Sequence, residues 1–353
     1  MINRSERLRV VVATPLSEEH CELIERLEPR IDLIRDQSLY PPMRHPADFS
    51  GDPSFRRTPD QQRRFDEMVD SAEVLYGIPD VDSAALKRTA DANAGLRWVH
   101  TMAAGGGSQV KAAGLSEEQL RRIVFTTSAG VHGGPLAEFA VFGVMAGAKD
   151  LPRLLAQQRD RNWSGRWAMR QVSEMTVLVV GLGGIGREVA RKLSGLGATI
   201  IGTSRHGRPV EHVDQQIRVE EISSTVPQVD AIVLTMPGTP ATERLIGADV
   251  FDAVKPGTIL VNVGRGTVVD EDALVPALQD GRIGFAALDV FATEPLSEDS
   301  PLWDEPNLLV SPHTSALNAA EDRLIAELFA TNATRLLDGE EELTNRMDPV
   351  DFY

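Results

Sequence analysis

The run Thr176-Val177-Leu178-Val179-Val180-Gly181-Leu182-Gly183-Gly184-Ile185-Gly186 decides how this chain folds. Its first five residues are β-branched or apolar without a break, the composition of a strand buried on both faces. Gly181, Gly183 and Gly186 follow in a Gly-x-Gly-x-x-Gly spacing, and Val189, Ala190 and Leu193 then recur at helical intervals. Strand, glycine turn and helix in this order form the context in which such a run seats a dinucleotide. Gly181 permits the tight turn, Gly183 lets the backbone approach a pyrophosphate, and Gly186 lets helix and strand close on each other. Gly184 and Ile185 belong to the same cofactor-binding loop, at a helix N-terminus whose free N–H groups and dipole favour phosphate.

Outward from this run the pattern repeats. Val177–Val180, Thr199–Gly202, Asp230–Thr235, Thr258–Val263, Gly284–Asp289 and Leu308–Val310 read as six strands with helices between them. The earlier part of the chain alternates in the same way, with strand candidates at Leu8–Ala13, Ile31–Ile34, Val74–Tyr76, Arg97–His100 and Ile123–Thr126. Alternation of this kind predicts α/β architecture with parallel sheets flanked by helices. Ser17 is placed to cap a helix from Ser17 to Leu27, with Glu18 and Glu19 in its first turn. A helix from Pro135 to about Lys149 is apolar nearly all round, which predicts burial on more than one side and points to a subunit interface, hence a homodimer. A last helix is expected from about Ala316 to Leu337. Between Tyr40 and Pro59 the prolines Pro41, Pro42, Pro46, Pro53 and Pro59 mark a long surface excursion, either an ordinary loop or a flap over the active site.

Composition sets outer bounds. A chain of 353 residues implies roughly two domains, large enough to build a core without disulfides or metals. The formal net charge of -16 argues against nucleic acid as a partner, because phosphate backbones require a basic surface. Cys21 is the single cysteine, which fits a reducing cytoplasm. The N-terminus leads into a short strand rather than a signal peptide, and no run of 18 apolar residues predicts a membrane span.

At the end of the second strand of the glycine-loop sheet, an NAD site would place Asp or Glu near position 203 to hold the ribose 2′-hydroxyl. The chain instead reads Thr203-Ser204-Arg205-His206-Gly207-Arg208, with no acid before Glu211. A hydroxyl at Ser204 and guanidinium groups at Arg205 and Arg208 suit a 2′-phosphate, so NADP(H) is expected to be preferred, with NAD(H) possible.

Three further residues stand just after strand-like runs: Arg265 in Val261-Asn262-Val263-Gly264-Arg265-Gly266, Glu294 in Asp289-Val290-Phe291-Ala292-Thr293-Glu294-Pro295, and His313 in Ser311-Pro312-His313-Thr314. A fixed cation, a carboxylate and an imidazole at successive strand ends can hold an anion and move a proton. With the glycine loop, and with Pro301-Leu302-Trp303 leading to His313, these motifs resemble the D-isomer specific 2-hydroxyacid dehydrogenase family, of glyoxylate/hydroxypyruvate reductase type. The resemblance extends over nearly the whole chain, more weakly before about position 95.

The resemblance implies two doubly wound parallel-sheet domains. A Rossmann dinucleotide-binding domain would span 128–314, a flavodoxin-like substrate domain 1–127 and 315–353, and the active site would lie in the cleft between them. It implies that Arg265 pairs with the carboxylate of a small 2-keto or 2-hydroxy acid. His313 would be the acid/base at C2, and Glu294 would orient His313 and raise its pKa. It further implies that Asp289 contacts the nicotinamide carboxamide and that Ala104, Gly105 and Gly106 hold the substrate carboxylate through backbone N–H groups. Gly107 stands where the family often has an aspartate. Tyr76, before Gly77-Ile78, is expected to face the substrate. No metal is implied. Two other readings share the scaffold: a phosphite dehydrogenase, for which a lysine near Gly105 would be expected, and an NAD(P)-sensing corepressor-like protein that binds without turnover.

Overall fold

The computed structural model describes residues 7–204, 207–340, 342–350 and 352. The chain divides into two compact units, Met1–His132 with Leu317–Tyr353, and Gly133–Ala316. Both are α/β, and every strand ladder in both is parallel, as the alternating pattern predicts.

The first unit holds β1 (Leu8–Val12), β2 (Ile31–Ile34), β3 (Val74–Tyr76), β4 (Trp98–Thr101) and β5 (Val124–Thr127), in the order β2-β1-β3-β4-β5. This is the flavodoxin-like order. Val10, Val11, Val74 and Leu75 are completely buried, as expected of strands covered by helices on both faces. Ser17 caps the helix Glu18–Leu27 by accepting the His20 N–H. The last helix runs over Glu321–Leu337 and so begins later than periodicity predicts; residues 316–320 form turns in which the Asn318 side chain accepts the Ala320 N–H. Phe329 on that helix stacks on Trp98 at 4.8 Å and meets the edge of Tyr76 at 5.1 Å. The proline-rich excursion is fastened to its own unit. Tyr40 donates to the Val12 carbonyl at 2.7 Å and the Ala47 N–H donates to Asp322 at 3.0 Å. Pro59 then opens a helix under a Thr58–Gln61 capping box.

His100 of β4 is a structural group whose charge state the fold dictates. The ring is completely buried, with Nδ1 2.8 Å from Thr126 Oγ1 and Nε2 3.1 Å from Ser128 Oγ. Thr126 Oγ1 also receives the Trp98 indole N–H, and Ser128 Oγ gives its proton to the Thr101 carbonyl. These directions assign the tautomer: Thr126 donates to Nδ1, and Nε2–H donates to Ser128. The network is complete with a neutral ring, and burial pushes the His100 pKa down from 6.5 to about 3. A histidine depressed in the fold gives stability that is whole above its unfolded pKa and is lost as pH falls from there towards the folded value. Between pH 6.5 and 4.5 this one group should cost roughly 2–3 kcal/mol, at about 1.4 kcal/mol per unit. Urea unfolding at both pH values should therefore show a smaller acid loss in His100→Gln than in the wild type; equal losses would contradict the assignment.

The second unit holds β6 (Thr176–Val180), β7 (Thr199–Thr203), β8 (Gln215–Ile217), β9 (Ala231–Leu234), β10 (Thr258–Asn262), β11 (Ile283–Leu288) and β12 (Leu308–Val310). Their order is β12-β11-β10-β9-β6-β7-β8. Six strands were expected and the described residues form seven: β8 is a three-residue edge strand, Gln215-Gln216-Ile217, too short and polar to carry a period. The chain winds outward from β6 through β7 to β8, then crosses to β9 on the other side of β6. That reversal opens a crevice at the carboxyl ends of β6 and β9, where ligands bind in such sheets. The helix Gly133–Ala148 lies on β10 and β11. Added Cβ atoms at Gly143 and Gly147 would fall 2.8 Å from Val261 and 2.6 Å from Ile259, so small residues let this helix approach the sheet. No helix among the described residues is long and apolar enough to cross a membrane.

Candidate active site

The glycine loop leaves β6 at the crevice. Gly181 has φ +103°, a conformation open to glycine, and its N–H donates to Thr203 Oγ1 at 2.8 Å. Thr235, the first residue after β9, donates to the Gly181 carbonyl at 2.6 Å, so both neighbouring strands fix the turn. A Cβ at Gly186 would lie 2.0 Å from the Gly181 oxygen, which explains the third glycine as helix-to-strand packing. Gly183 and Gly184 are exposed, and no atom stands within 4 Å of a Cβ built on either. Ile185 is half-buried beside them. Open backbone at the start of the twelve-residue helix Gly184–Gly195 is a cradle that fits a pyrophosphate. Sequence reading missed Arg187, whose Nε donates to the Leu182 carbonyl at 3.1 Å and brings an exposed guanidinium to this loop.

At the end of β7, Thr203 is buried and Ser204 half-buried, while Arg208 is exposed and its carbonyl receives the Gln216 side chain at 2.9 Å. Arg205 lies outside the described residues. The sequence signal was an absence of acids near position 203, but β8 brings Glu220 and Glu221 close to Ser204 in space.

Arg265, Glu294 and His313 follow β10, β11 and β12, which are adjacent in the sheet. The Asn262 side chain shapes the turn that presents Arg265: it accepts the Gly264 N–H and donates to the Arg265 carbonyl, both at 3.0 Å. Arg265 is exposed. Beside it, a Cβ at Gly266 would lie 1.8 Å from the Phe291 carbonyl carbon, so only glycine lets the Arg265 turn approach the β11 loop. That loop carries Glu294. Its Oε1 accepts the Phe291 N–H at 3.0 Å, and its Oε2 lies 2.7 Å from His313 Nδ1. The carboxylate is thus fixed by backbone at one oxygen and holds the imidazole with the other. Nδ1 is committed, so Nε2 is the ring atom left for a ligand. The His313 side chain is 47% exposed, which a group meant to meet a ligand requires.

His313 itself has φ +52°, in the left-handed region, and Asp289 holds it there. The His313 N–H donates to the Asp289 carbonyl at 2.9 Å. Asp289 Oδ1 accepts from Ser311 Oγ at 2.5 Å and from the N–H groups of Thr314 and Ser315 at 3.0 Å; Oδ2 accepts from Ser315 Oγ at 2.5 Å. Asp289 is completely buried, and its carboxylate organises the 311–315 loop that presents His313. Two serines flanking a histidine after a strand were the available sequence signal.

In the first unit, Ala104 and Gly105 are exposed on the loop after β4 and Gly106 is buried, its Cβ position blocked at 1.9 Å by Thr101 Oγ1. Gly107 opens the short helix Gly107–Ala112, and a Cβ there would meet the Phe352 carbonyl at 1.9 Å, so the chain end accounts for this glycine. Tyr76 is completely buried, with the edge of its ring against Phe329 at 5.1 Å. The ring faces the core because β3 is covered by the last helix, a tertiary fact with no local signal. Among the described residues no group of three His, Cys, Asp or Glu could hold a metal ion.

The model of the D-isomer specific 2-hydroxyacid dehydrogenase NAD binding domain matches residues 141–315. A human protein named glyoxylate reductase/hydroxypyruvate reductase is 31% identical over 260 residues, covering 72% of this chain and 78% of its own. The D-3-phosphoglycerate dehydrogenase of Mycobacterium tuberculosis H37Rv is 34% identical over 203 residues, 57% of this chain but 38% of that protein. A D-isomer specific 2-hydroxyacid dehydrogenase from Xanthobacter autotrophicus Py2, solved in complex with NADPH and MES, is similar with a TM-score of 0.76 and 26% identity, over 98% of this chain and 100% of its own. The chain belongs to the D-isomer specific 2-hydroxyacid dehydrogenase family, NAD(P)-dependent oxidoreductases.

Proposed function

We propose that this protein is a D-specific, NADPH-dependent reductase of small 2-keto acids of the glyoxylate or hydroxypyruvate type. The observation that carries the reading is the 2.7 Å contact between His313 Nδ1 and Glu294 Oε2, on strand ends adjacent to the one that presents Arg265. Arg265 receives the substrate carboxylate, because a guanidinium stays charged and matches a carboxylate in two parallel bonds. His313 gives a proton from Nε2 to the C2 oxygen, and Glu294 fixes the ring and balances its positive charge. When bound, the reduced nicotinamide supplies the hydride that makes C2 tetrahedral. Hydride and proton together convert the keto group into a hydroxyl, and His313 is then reprotonated from solvent.

Preference for NADPH rests on Ser204 and Arg208 at the end of β7, with Arg205 between them in sequence, and on the relative from Xanthobacter autotrophicus crystallised with NADPH. One charge-assisted hydrogen bond to a 2′-phosphate contributes about 1.5–3 kcal/mol, or about ten- to a hundred-fold. The small-substrate class rests on the human relative's name and on a site built for a carboxylate. A panel of 2-keto acids assayed with both cofactors should give kcat/KM at least about tenfold higher with NADPH than with NADH. A preference for NADH would remove the cofactor assignment.

The same reading includes a homodimer. On helix Gly133–Ala148, Phe142 is 47% and Met145 40% exposed, and Leu155 and Trp163 later in the chain are exposed as well. Light scattering should return twice the 38.5 kDa mass of one chain, and a monomer at micromolar concentration would contradict it.

A further inference from the structure

Beyond the residues at the end of β7, the structure assigns Arg218, at the end of the neighbouring strand, as a second cation for the ribose 2′-phosphate; this rests on the NADPH reading above. β7 and β8 are parallel partners with Thr203 opposite Ile217, and the Ser204 N–H continues the ladder to the Ile217 carbonyl at 3.2 Å. Ser204 and Arg218 therefore leave the sheet as consecutive neighbours on adjacent strands, roughly 5 Å apart at the backbone. Beyond them opens a groove of about 1020 Å³ lined by Ser204, Gly207, Gln216, Arg218, Glu220 and Glu221. In a sheet of this winding the ribose 2′ position of a dinucleotide sits at the end of the second strand, here β7. An arginine rooted one strand further out reaches that position from the far side.

The groove also carries carboxylates, and their placement decides which ligand it takes. Glu221 Oε2 accepts the Arg218 N–H at 2.7 Å, so this acid fixes the backbone from which the arginine projects. Among the described residues no ion pair engages the Arg218 guanidinium, and the side chain is exposed. Glu220 is exposed on the following turn, Val219–Glu221. An exposed guanidinium beside a strand-end hydroxyl supplies the donors that a phosphate dianion needs.

The test compares 2′,5′-ADP with 5′-AMP, two fragments differing in the 2′-phosphate, by calorimetry on the full chain. The wild type should bind 2′,5′-ADP more tightly. Arg218→Gln should weaken 2′,5′-ADP by about ten- to a hundred-fold and leave 5′-AMP unchanged, which also shows that the variant is folded. If the wild type discriminates and Arg218→Gln discriminates equally well, the Arg218 assignment is overturned while the NADPH reading stands. If the wild type does not discriminate, both fall. An equal loss for both fragments also overturns the assignment, since it places Arg218 away from the 2′ position.

Discussion

Replacing His313 with asparagine is expected to lower kcat for 2-keto acid reduction by about 10²–10⁴-fold, the range for loss of a positioned general acid. The two ring nitrogens have different tasks. Nδ1 is committed to Glu294 at 2.7 Å, so the proton that reaches a substrate must come from Nε2. Asparagine keeps a polar side chain near Glu294 and has no titratable proton to give. The fold should not suffer, because the His313 side chain is half-exposed and its left-handed backbone is one that asparagine tolerates. Affinity for NADPH should be unchanged, since the glycine loop leaves β6 on the other side of the crevice. Glu294→Gln should lower kcat by less, because the Phe291 N–H still holds the side chain in place while the charge opposite the imidazolium is gone. Wild-type turnover in His313→Asn would remove this residue from the chemistry.

Arg265→Ala should carry the second large effect, on kcat/KM for the keto acid. Truncating one member of a desolvated charge pair costs about 2–5 kcal/mol, roughly 30- to 5000-fold. Arg265→Lys should recover only part of the loss: an ammonium is a point charge and cannot make two parallel bonds to a carboxylate. Neither change should disturb the turn, which the Asn262 side chain fixes through backbone groups alone. Steady-state kinetics with keto acid and NADPH varied separately read the two effects apart. A loss confined to NADPH affinity would place Arg265 at the cofactor rather than the substrate.

The central strands were legible in the sequence for a definite reason. β6 and β9 are covered on both faces, and such strands are near-continuous runs of apolar and β-branched residues, so the runs themselves announce them. β8 escaped because an edge strand of three residues, two of them glutamines, has no such constraint. The roles of the loop glycines followed from spacing, because only glycine meets a positive φ at Gly181 or a 2.0 Å approach at Gly186. Asp289 and Tyr76 were the opposite case. The partners of Asp289 are set by Ser311 and Ser315 folding back on it, and the burial of Tyr76 by Phe329, more than 250 residues away. The acids Glu220 and Glu221 were likewise invisible as neighbours of Ser204, because strand pairing rather than sequence distance brings them there.

The most direct measurement is turnover with hydroxypyruvate and NADPH, following cofactor absorbance and determining the configuration of the product. One equivalent of D-2-hydroxy acid formed per NADPH oxidised is the predicted result, with His313→Asn reduced by at least about 10²-fold under the same conditions. NADPH bound but not consumed across a panel of 2-keto acids, or the L-isomer as product, would contradict it.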